Sequence, residues 1–145
     1  MLMKHFLKVC LLSLFVSIPL TSLQAEEIDV QETILKAQNN DKQGLYQLAY
    51  LKQMGEHGVE KNILEAIELY KRASALGHRS ANHNLGLIYY NGKDVKVDYS
   101  EAAKWFQIAS ERKLEDSQRI LLSMYYKELI PKNLNKMEQL QIQLA

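Results

Sequence analysis

The sequence predicts an all-α protein, a right-handed α/α superhelix (solenoid) of helix-turn-helix repeats with about seven helices. Two observations support this fold class. A repeated leucine marks each unit, because Leu85 has counterparts 37 residues earlier at Leu48 and 36 residues later at Leu121. A helix-capping signal of the form Asn/Asp-x-x-Glu follows each leucine at a matching offset. Repeats of this length bury a continuous apolar core only when neighbouring units stack, so the pattern indicates a solenoid.

The first 25 residues are predicted to be a secretory signal peptide rather than part of the fold. Lys4 and Lys8 form a basic start, an apolar run covers residues 9–20, and Ala25 offers a small residue for cleavage. A retained membrane anchor is the less favoured alternative, because a spanning helix needs about 20 apolar residues. Cleavage after Ala25 would leave residues 26–145 as the repeat domain, in the periplasm or secreted, without a membrane association.

Charge and cysteine content narrow the classes of partner and chemistry. The chain carries 18 Lys and Arg against 17 Asp and Glu, and loss of the leader would leave 16 against 17. Since these charges are interspersed, neither nucleic acid nor an anionic membrane surface is an expected partner. The single cysteine, Cys10, lies in the leader. The remaining chain is therefore expected to use no disulfide and no thiolate.

Seven helices are predicted after the leader. The first covers about 28–38 and resembles the second half of a unit, which gives a leading half-unit at 26–40. Three helix pairs follow, at 42–54 with 62–76, 79–91 with 98–112, and 116–127 with 135–144. They form units of about 41–77, 78–113 and 114–145.

The boundaries of these helices follow from capping residues. We expect Asn62, Asp98 and Asn135 to accept backbone N–H groups at the start of the second helix of each pair, with the Glu three residues later reaching back to the cap. Helix ends are expected at Gly55, Gly77 and Gly92, because glycine adopts the left-handed conformation of a C-cap. In the third pair Glu128 stands at the glycine position, and Pro131 is expected to break the helix instead.

An apolar stripe with helical spacing predicts the buried side of the second helices. It consists of Ala66, Leu69, Tyr70 and Ala73 in the first unit, matched by Ala102, Trp105, Phe106 and Ala109 in the second. Ala49 and Gly86, beside the repeated leucine, predict a close approach of a neighbouring helix. We expect Trp105 to fill the space between units 2 and 3, so that Trp105→Ala costs about 3–5 kcal/mol of stability.

The last helix is short and more apolar than a solvated terminal helix should be. Its apolar residues are Leu134, Met137, Leu140, Ile142 and Leu144. We expect this helix to fold back on the preceding helix in a monomeric protein. The alternative is a contact for self-association or for a partner.

The second unit resembles the SEL-one-like repeat (SLR), a relative of the tetratricopeptide repeat. The residues that carry the resemblance are Leu85-Gly86, Tyr89, Gly92, Val95, Asp98, Ala102, Trp105-Phe106 and Ala109. Asp94 replaces the second glycine of the family pattern, and Lys52 replaces its tyrosine in the first unit, which also carries one inserted residue. The resemblance covers about residues 29–145. It implies a helical solenoid and an adaptor, often bacterial and exported, that binds other proteins.

No catalytic, cofactor or metal site is predicted. His57, His78 and His83 remain after the leader, and no two of them share a helix face at a spacing of four residues. Nucleophile–base motifs and phosphate-binding glycine loops are not found. An envelope hydrolase, such as a β-lactamase-like SLR protein, is the alternative, although such relatives are rich in cysteine. A secreted host-directed effector is a further alternative.

The predicted function is therefore the binding of a protein or peptide along the inner face of the solenoid, which the first helix of each pair lines. Interfaces are enriched in aromatic and arginine side chains. Candidate residues occupy equivalent positions that the repeat core does not require. They are Tyr46, Tyr50, His83, Leu87, Tyr90, Arg119 and Tyr126. The alternative is that these tyrosines are half-buried packing residues.

Overall fold

A computed structural model describes residues 29–145, and all regular structure in that range is helical. The helices are α1 (Val30–Gln38), α2 (Lys42–Met54), α3 (Ile63–Ala75), α4 (Arg79–Asn91), α5 (Tyr99–Glu111), α6 (Glu115–Tyr126) and α7 (Leu134–Leu144). Each helix packs against the next one along the chain. The all-α helical-repeat solenoid is confirmed, with helix bounds within two residues of those predicted. The predicted signal peptide, residues 1–25, lies outside the described range.

The pairs α2–α3, α4–α5 and α6–α7 correspond to the three predicted units, and α1 to the leading half-unit. Below, α2, α4 and α6 are called the first helices, and α1, α3, α5 and α7 the second helices. Within residues 29–145, no helix has the length and apolar character needed to cross a bilayer.

Two of the three predicted caps of second helices are confirmed. The side chains of Asn62 and Asp98 accept the backbone N–H groups of Glu65 and Glu101, at 3.1 and 2.8 Å. The prediction for α7 was wrong, because Asn133, and not Asn135, accepts the N–H of Lys136 at 3.0 Å. Asn133 is the residue in the extended conformation that a cap requires, while Asn135 already lies inside the helix.

The glutamates of the capping signals do not reach back to their caps. Instead, the backbone N–H of Asn62 donates to the carbonyl of Lys52 at 2.7 Å, and that of Asp98 donates to the carbonyl of Tyr89 at 3.0 Å. Each of these bonds ties a second helix to the last turn of its first helix. Because the cap N–H is used in this way, Glu65 pairs with Lys52 instead of closing a capping box.

Residues with positive φ end several helices. Gly55 and Gly92 are left-handed caps, as predicted, and Gly77 takes φ +85° after α3. Glu128 also adopts a left-handed conformation, with φ +55°, directly after the C-cap of α6. The expectation that Pro131 breaks this helix was therefore wrong, because α6 ends at Tyr126 through the backbone conformation at Glu128.

The buried side chains form two cores along the solenoid. The first core joins α1 to α4 and contains Leu45, Leu48, Tyr70 and Leu85 among its members. The second core joins α5 to α7, with side chains of α4 packed on it, and contains Phe106, Leu121 and Leu140. The repeated leucines Leu48, Leu85 and Leu121 are all buried, which confirms the pattern from which the repeat was inferred.

The predicted position of Trp105 was wrong. Trp105 is half-buried and packs against the first core, on the side of units 1 and 2. The space toward unit 3 is filled instead by the fully buried ring of Phe106. Neighbouring positions on a helix point in different directions, so adjacent aromatic residues of α5 serve different cores.

Two glycines permit close contacts between helices. A Cβ atom on Gly86 would lie 2.6 Å from the ring of Phe106, so the glycine that was predicted to admit a neighbouring helix admits this ring. A Cβ atom on Gly44 would lie 2.8 Å from the backbone nitrogen of Ala37. The absence of a side chain at Gly44 thus allows α2 to approach the backbone of α1 directly.

The last helix folds back on α6, as expected. Leu140 is fully buried in the second core, and Met137 packs against that core. Leu134 and Ile142 remain 75% and 69% exposed. The alternative role of this helix in self-association stays a prediction.

Candidate partner-binding face

A hydrogen-bonded group of side chains joins the first helices of units 1 and 2. The amide nitrogen of Asn84 donates to the hydroxyl of Tyr46 at 3.3 Å and to that of Tyr70 at 3.0 Å. Tyr70 in turn donates to the amide oxygen of Gln53 at 2.9 Å. Burial raises the pKa of Tyr70, so its hydroxyl keeps the proton that it donates. Tyr46 also stacks on the ring of His78, with ring centroids 4.1 Å apart.

The first helices of units 2 and 3 are joined through His83. Its Nδ1 atom lies 2.8 Å from the hydroxyl of Ser117, which is fully buried on α6. The ring also meets Phe106 edge-on, at a centroid distance of 5.8 Å. Burial lowers the pKa of His83, and the nearby carboxylate of Asp116 opposes this shift.

Stability is expected to fall as the pH falls from about 7.5 to 5.5, in part through His83. The folded state favours neutral His83, whereas in the unfolded chain this residue has an ordinary pKa of about 6.5. The unfolded state therefore binds more protons in this range, and stability is lost as the pH falls through the unfolded pKa toward the lower folded one. Thermal unfolding at several pH values should show a weaker dependence for His83→Gln than for the wild type. His57→Gln, which removes an exposed loop histidine, is the matched control, and an unchanged pH dependence in His83→Gln would contradict this account.

Four of the seven candidate residues are half-buried and have packing partners. Tyr46 and His83 bridge first helices through the contacts described above. Leu87 and Tyr90 pack against the second core, where the ring of Tyr90 lies edge-on to Tyr99 at 5.6 Å. The expectation that the repeat core does not require these positions was wrong for these four residues. Their side chains fill the gaps between successive helices, which the spacing within one helix does not reveal.

The other three candidates are exposed on first helices. Tyr50 on α2 is 38% exposed, and Tyr126 at the end of α6 is 57% exposed and contacts the amide of Gln141. Arg119 is exposed and pairs with Glu115 of its own helix at 3.2 Å. An exposed pair of this kind contributes little to stability, so the guanidinium can exchange partners at low cost. These three residues, Tyr50, Arg119 and Tyr126, are called the exposed set below.

A cleft lies between the loops of units 1 and 2. The cleft has a volume of about 240 Å³, and Gln53 and Leu87 are among the residues that line it. Lys61 and Asp94 also line it and form an ion pair at 2.6 Å, which joins the two loops. Asp94, which departs from the family pattern, thus has a structural partner in the preceding unit.

Sequence reasoning missed Asn84 and His78 as parts of this face. Asn84 donates to two tyrosine hydroxyls, and His78 pairs its Nε2 atom with Gln43 at 3.0 Å. Asn84 could have been recognised from the sequence, because asparagine has a low helix propensity and yet stands inside a predicted helix, directly before Leu85. Within residues 29–145, no three His, Cys, Asp or Glu side chains are grouped closely enough to hold a metal ion.

Comparison with known proteins identifies a repeat family and two similar structures. The Sel1 repeat family model matches residues 42–78 and 79–114. No curated protein matches the chain. Two crystal structures are similar to it, each with a TM-score of 0.72. One is c5321, described as a protective antigen present in uropathogenic Escherichia coli strains that displays an SLR fold, and it is 24% identical. The other is a Sel1 repeat protein from Oxalobacter formigenes, which is 26% identical.

The two structures are longer than this chain. The first match covers 82% of this chain and 26% of the other protein, and the second covers 80% and 47%. The likeness to c5321 therefore concerns the fold of the shared repeats.

Proposed function

The chain belongs to the Sel1 repeat family, whose members generally mediate protein–protein interaction, and we propose that it is an exported, non-catalytic adaptor. It binds a protein or peptide through the face of its first helices. The observation that carries this proposal is the exposed set, Tyr50, Arg119 and Tyr126. Each of these side chains lies on a first helix, and none of them belongs to either core.

The chemistry of the exposed set fits a protein partner. Tyrosine and arginine are enriched at interface hot spots, because they combine a large contact area with hydrogen-bonding groups. The neighbouring half-buried side chains hold the first helices together, so the exposed set is presented on a fixed frame. Binding to a fixed frame costs less conformational entropy than binding to mobile side chains.

The test is a quantitative comparison of binding variants. A partner is first captured from an envelope extract with the purified protein, and its Kd is then measured with each purified variant. We expect Tyr50→Ala, Arg119→Ala and Tyr126→Ala together to weaken binding by at least about 30-fold, which corresponds to about 2 kcal/mol. The Tm should change little, because none of the three side chains is in a core.

Leu64→Ala provides the matched control. Leu64 lies on the second helix α3 and is 70% exposed. Its truncation therefore tests an exposed side chain that does not belong to a first helix. Equal loss of affinity in this control, or no loss in the exposed-set variant, would contradict binding by the first helices.

Export is the second part of the proposal. It is supported by the basic start, the apolar run and the small residue at position 25 of the leader. Fractionation of cells that express a tagged copy tests it, and full retention of an unprocessed chain in the cytoplasmic fraction would contradict it. The same experiment separates a periplasmic protein from one released to the medium, as the host-directed effector alternative requires.

A further inference from the structure

A second cleft, of about 530 Å³, lies between α1, α3 and the loop that joins α2 to α3. Its volume falls in the range of about 300–1,000 Å³ that is typical of ligand pockets. Apolar side chains contribute much of the lining, and Lys52, Glu65 and Arg72 add polar groups. The apolar contributors include Ile34, Leu48, Val59 and Leu69. This cleft lies apart from the exposed set, because none of those three residues lines it.

The internal repeat shows what fills the equivalent place in the next unit. Leu69 corresponds to Trp105, and Lys52 corresponds to Tyr89. In unit 2 both aromatic side chains are half-buried and pack against the first core. In unit 1 a leucine and a lysine stand at these positions, and an open cleft is present. The cleft in unit 1 therefore lies at the position that two aromatic rings occupy in unit 2.

The polar lining suits a ligand that carries a peptide backbone. Lys52 and Glu65 form an ion pair at 2.9 Å within the cleft, and Arg72 donates to Asn40 at 2.6 Å. Such charged groups offer donors and acceptors to amides, and the cationic groups of Lys52 and Arg72 can attract the face of an aromatic ring. Gly58 also lines the cleft, and no atom other than those of Gly58 and its two chain neighbours lies within 4 Å of the place where its Cβ would be. A ligand chain can therefore approach the backbone closely at this point.

We propose that this cleft is a binding site for an aromatic side chain, of the tryptophan or tyrosine class, carried by a peptide partner. The proposal rests on the proposed function only in assigning the ring to a peptide. The ring would take the place that Trp105 and Tyr89 occupy in unit 2.

The test titrates the purified protein with N-acetyl-tryptophanamide and follows the backbone amide signals of Val59 and Leu69 by NMR. We expect saturable shifts with this probe and at least tenfold weaker binding of N-acetyl-leucinamide. Leu69→Trp should fill the cleft from within, abolish binding, and leave the Tm equal to or above that of the wild type. Leu64→Trp, on the exposed side of the same helix, is the matched control and should bind the probe as the wild type does.

Two further measurements distinguish an aromatic side chain of a peptide from a free aromatic molecule. A pentapeptide with a central tryptophan should bind at least tenfold more tightly than indole, since only the peptide reaches the polar lining. Equal affinity for the two would assign the cleft to a free aromatic molecule and overturn the peptide assignment. Binding that persists in Leu69→Trp would place the probe elsewhere and overturn the site.

The variants of the exposed set do not alter this cleft, so failure here and failure of the proposed function are distinguishable.

Discussion

Phe106→Ala should lower the free energy of unfolding by about 3–5 kcal/mol, and by more than Trp105→Ala does. The ring of Phe106 is fully buried in the second core and packs closely against Gly86 of α4. Its removal would leave a cavity at the junction of α4, α5 and α6, whereas Trp105 is half-buried and loses less on truncation. A loss of this size is a large share of a typical total stability of about 5–15 kcal/mol. Chemical denaturation of both variants measures the difference.

A double-mutant cycle with Gly86→Ala tests the cause of this effect. In the wild type, the added Cβ would lie 2.6 Å from the ring of Phe106 and should destabilise the fold. In the Phe106→Ala background that ring is gone, so the same change should become neutral or stabilising, because alanine has the higher helix propensity. Additive effects of the two substitutions would show that Gly86 does not serve to admit Phe106.

Leu85→Ala should cost more than Leu48→Ala, although both leucines occupy the same position in the repeat. Truncation of a buried leucine costs about 2–5 kcal/mol, depending on the cavity that remains. Leu85 is 0% exposed, whereas Leu48 is 9% exposed and borders the 530 Å³ cleft. A cavity beside Leu48 would join space that is already open to water, so fewer packing contacts are lost there. We therefore place Leu85→Ala in the upper half of the range and Leu48→Ala near its lower end.

Equilibrium unfolding in urea gives both values. Leu64→Ala, at a 70% exposed position, should stay within about 0.5 kcal/mol of the wild type and controls for loss of side-chain volume alone. Equal costs at Leu48 and Leu85 would indicate that the cleft closes in solution.

The candidate site was predictable only in part. The sequence pointed to the first helices, and Tyr50, Arg119 and Tyr126 are exposed there. It did not show that Tyr46, His83, Leu87 and Tyr90 have partners on other helices. Their partners lie on other helices, at least nine residues away in the sequence as for Tyr90 and Tyr99, and the spacing within one helix carries no information about such contacts.

The sequence by itself determined the repeat, the number of helices and most of their bounds. These features depend on local chemistry, because caps such as Asn62 and Asp98 and left-handed glycines such as Gly92 act on their own helix ends. The recurring leucines also indicated which side of each first helix is buried.

Only the tertiary structure decided which core each aromatic side chain serves. Trp105 and Phe106 are adjacent in sequence, yet they pack against different cores, because neighbouring positions on α5 point in different directions and α5 lies between the two cores. The same is true of the cleft beside Leu69, where the smaller side chain leaves space only because α1 and α3 are held apart by their packing on α2. Distances between helices are set by all contacts of the stack together, so no single segment of the sequence encodes them.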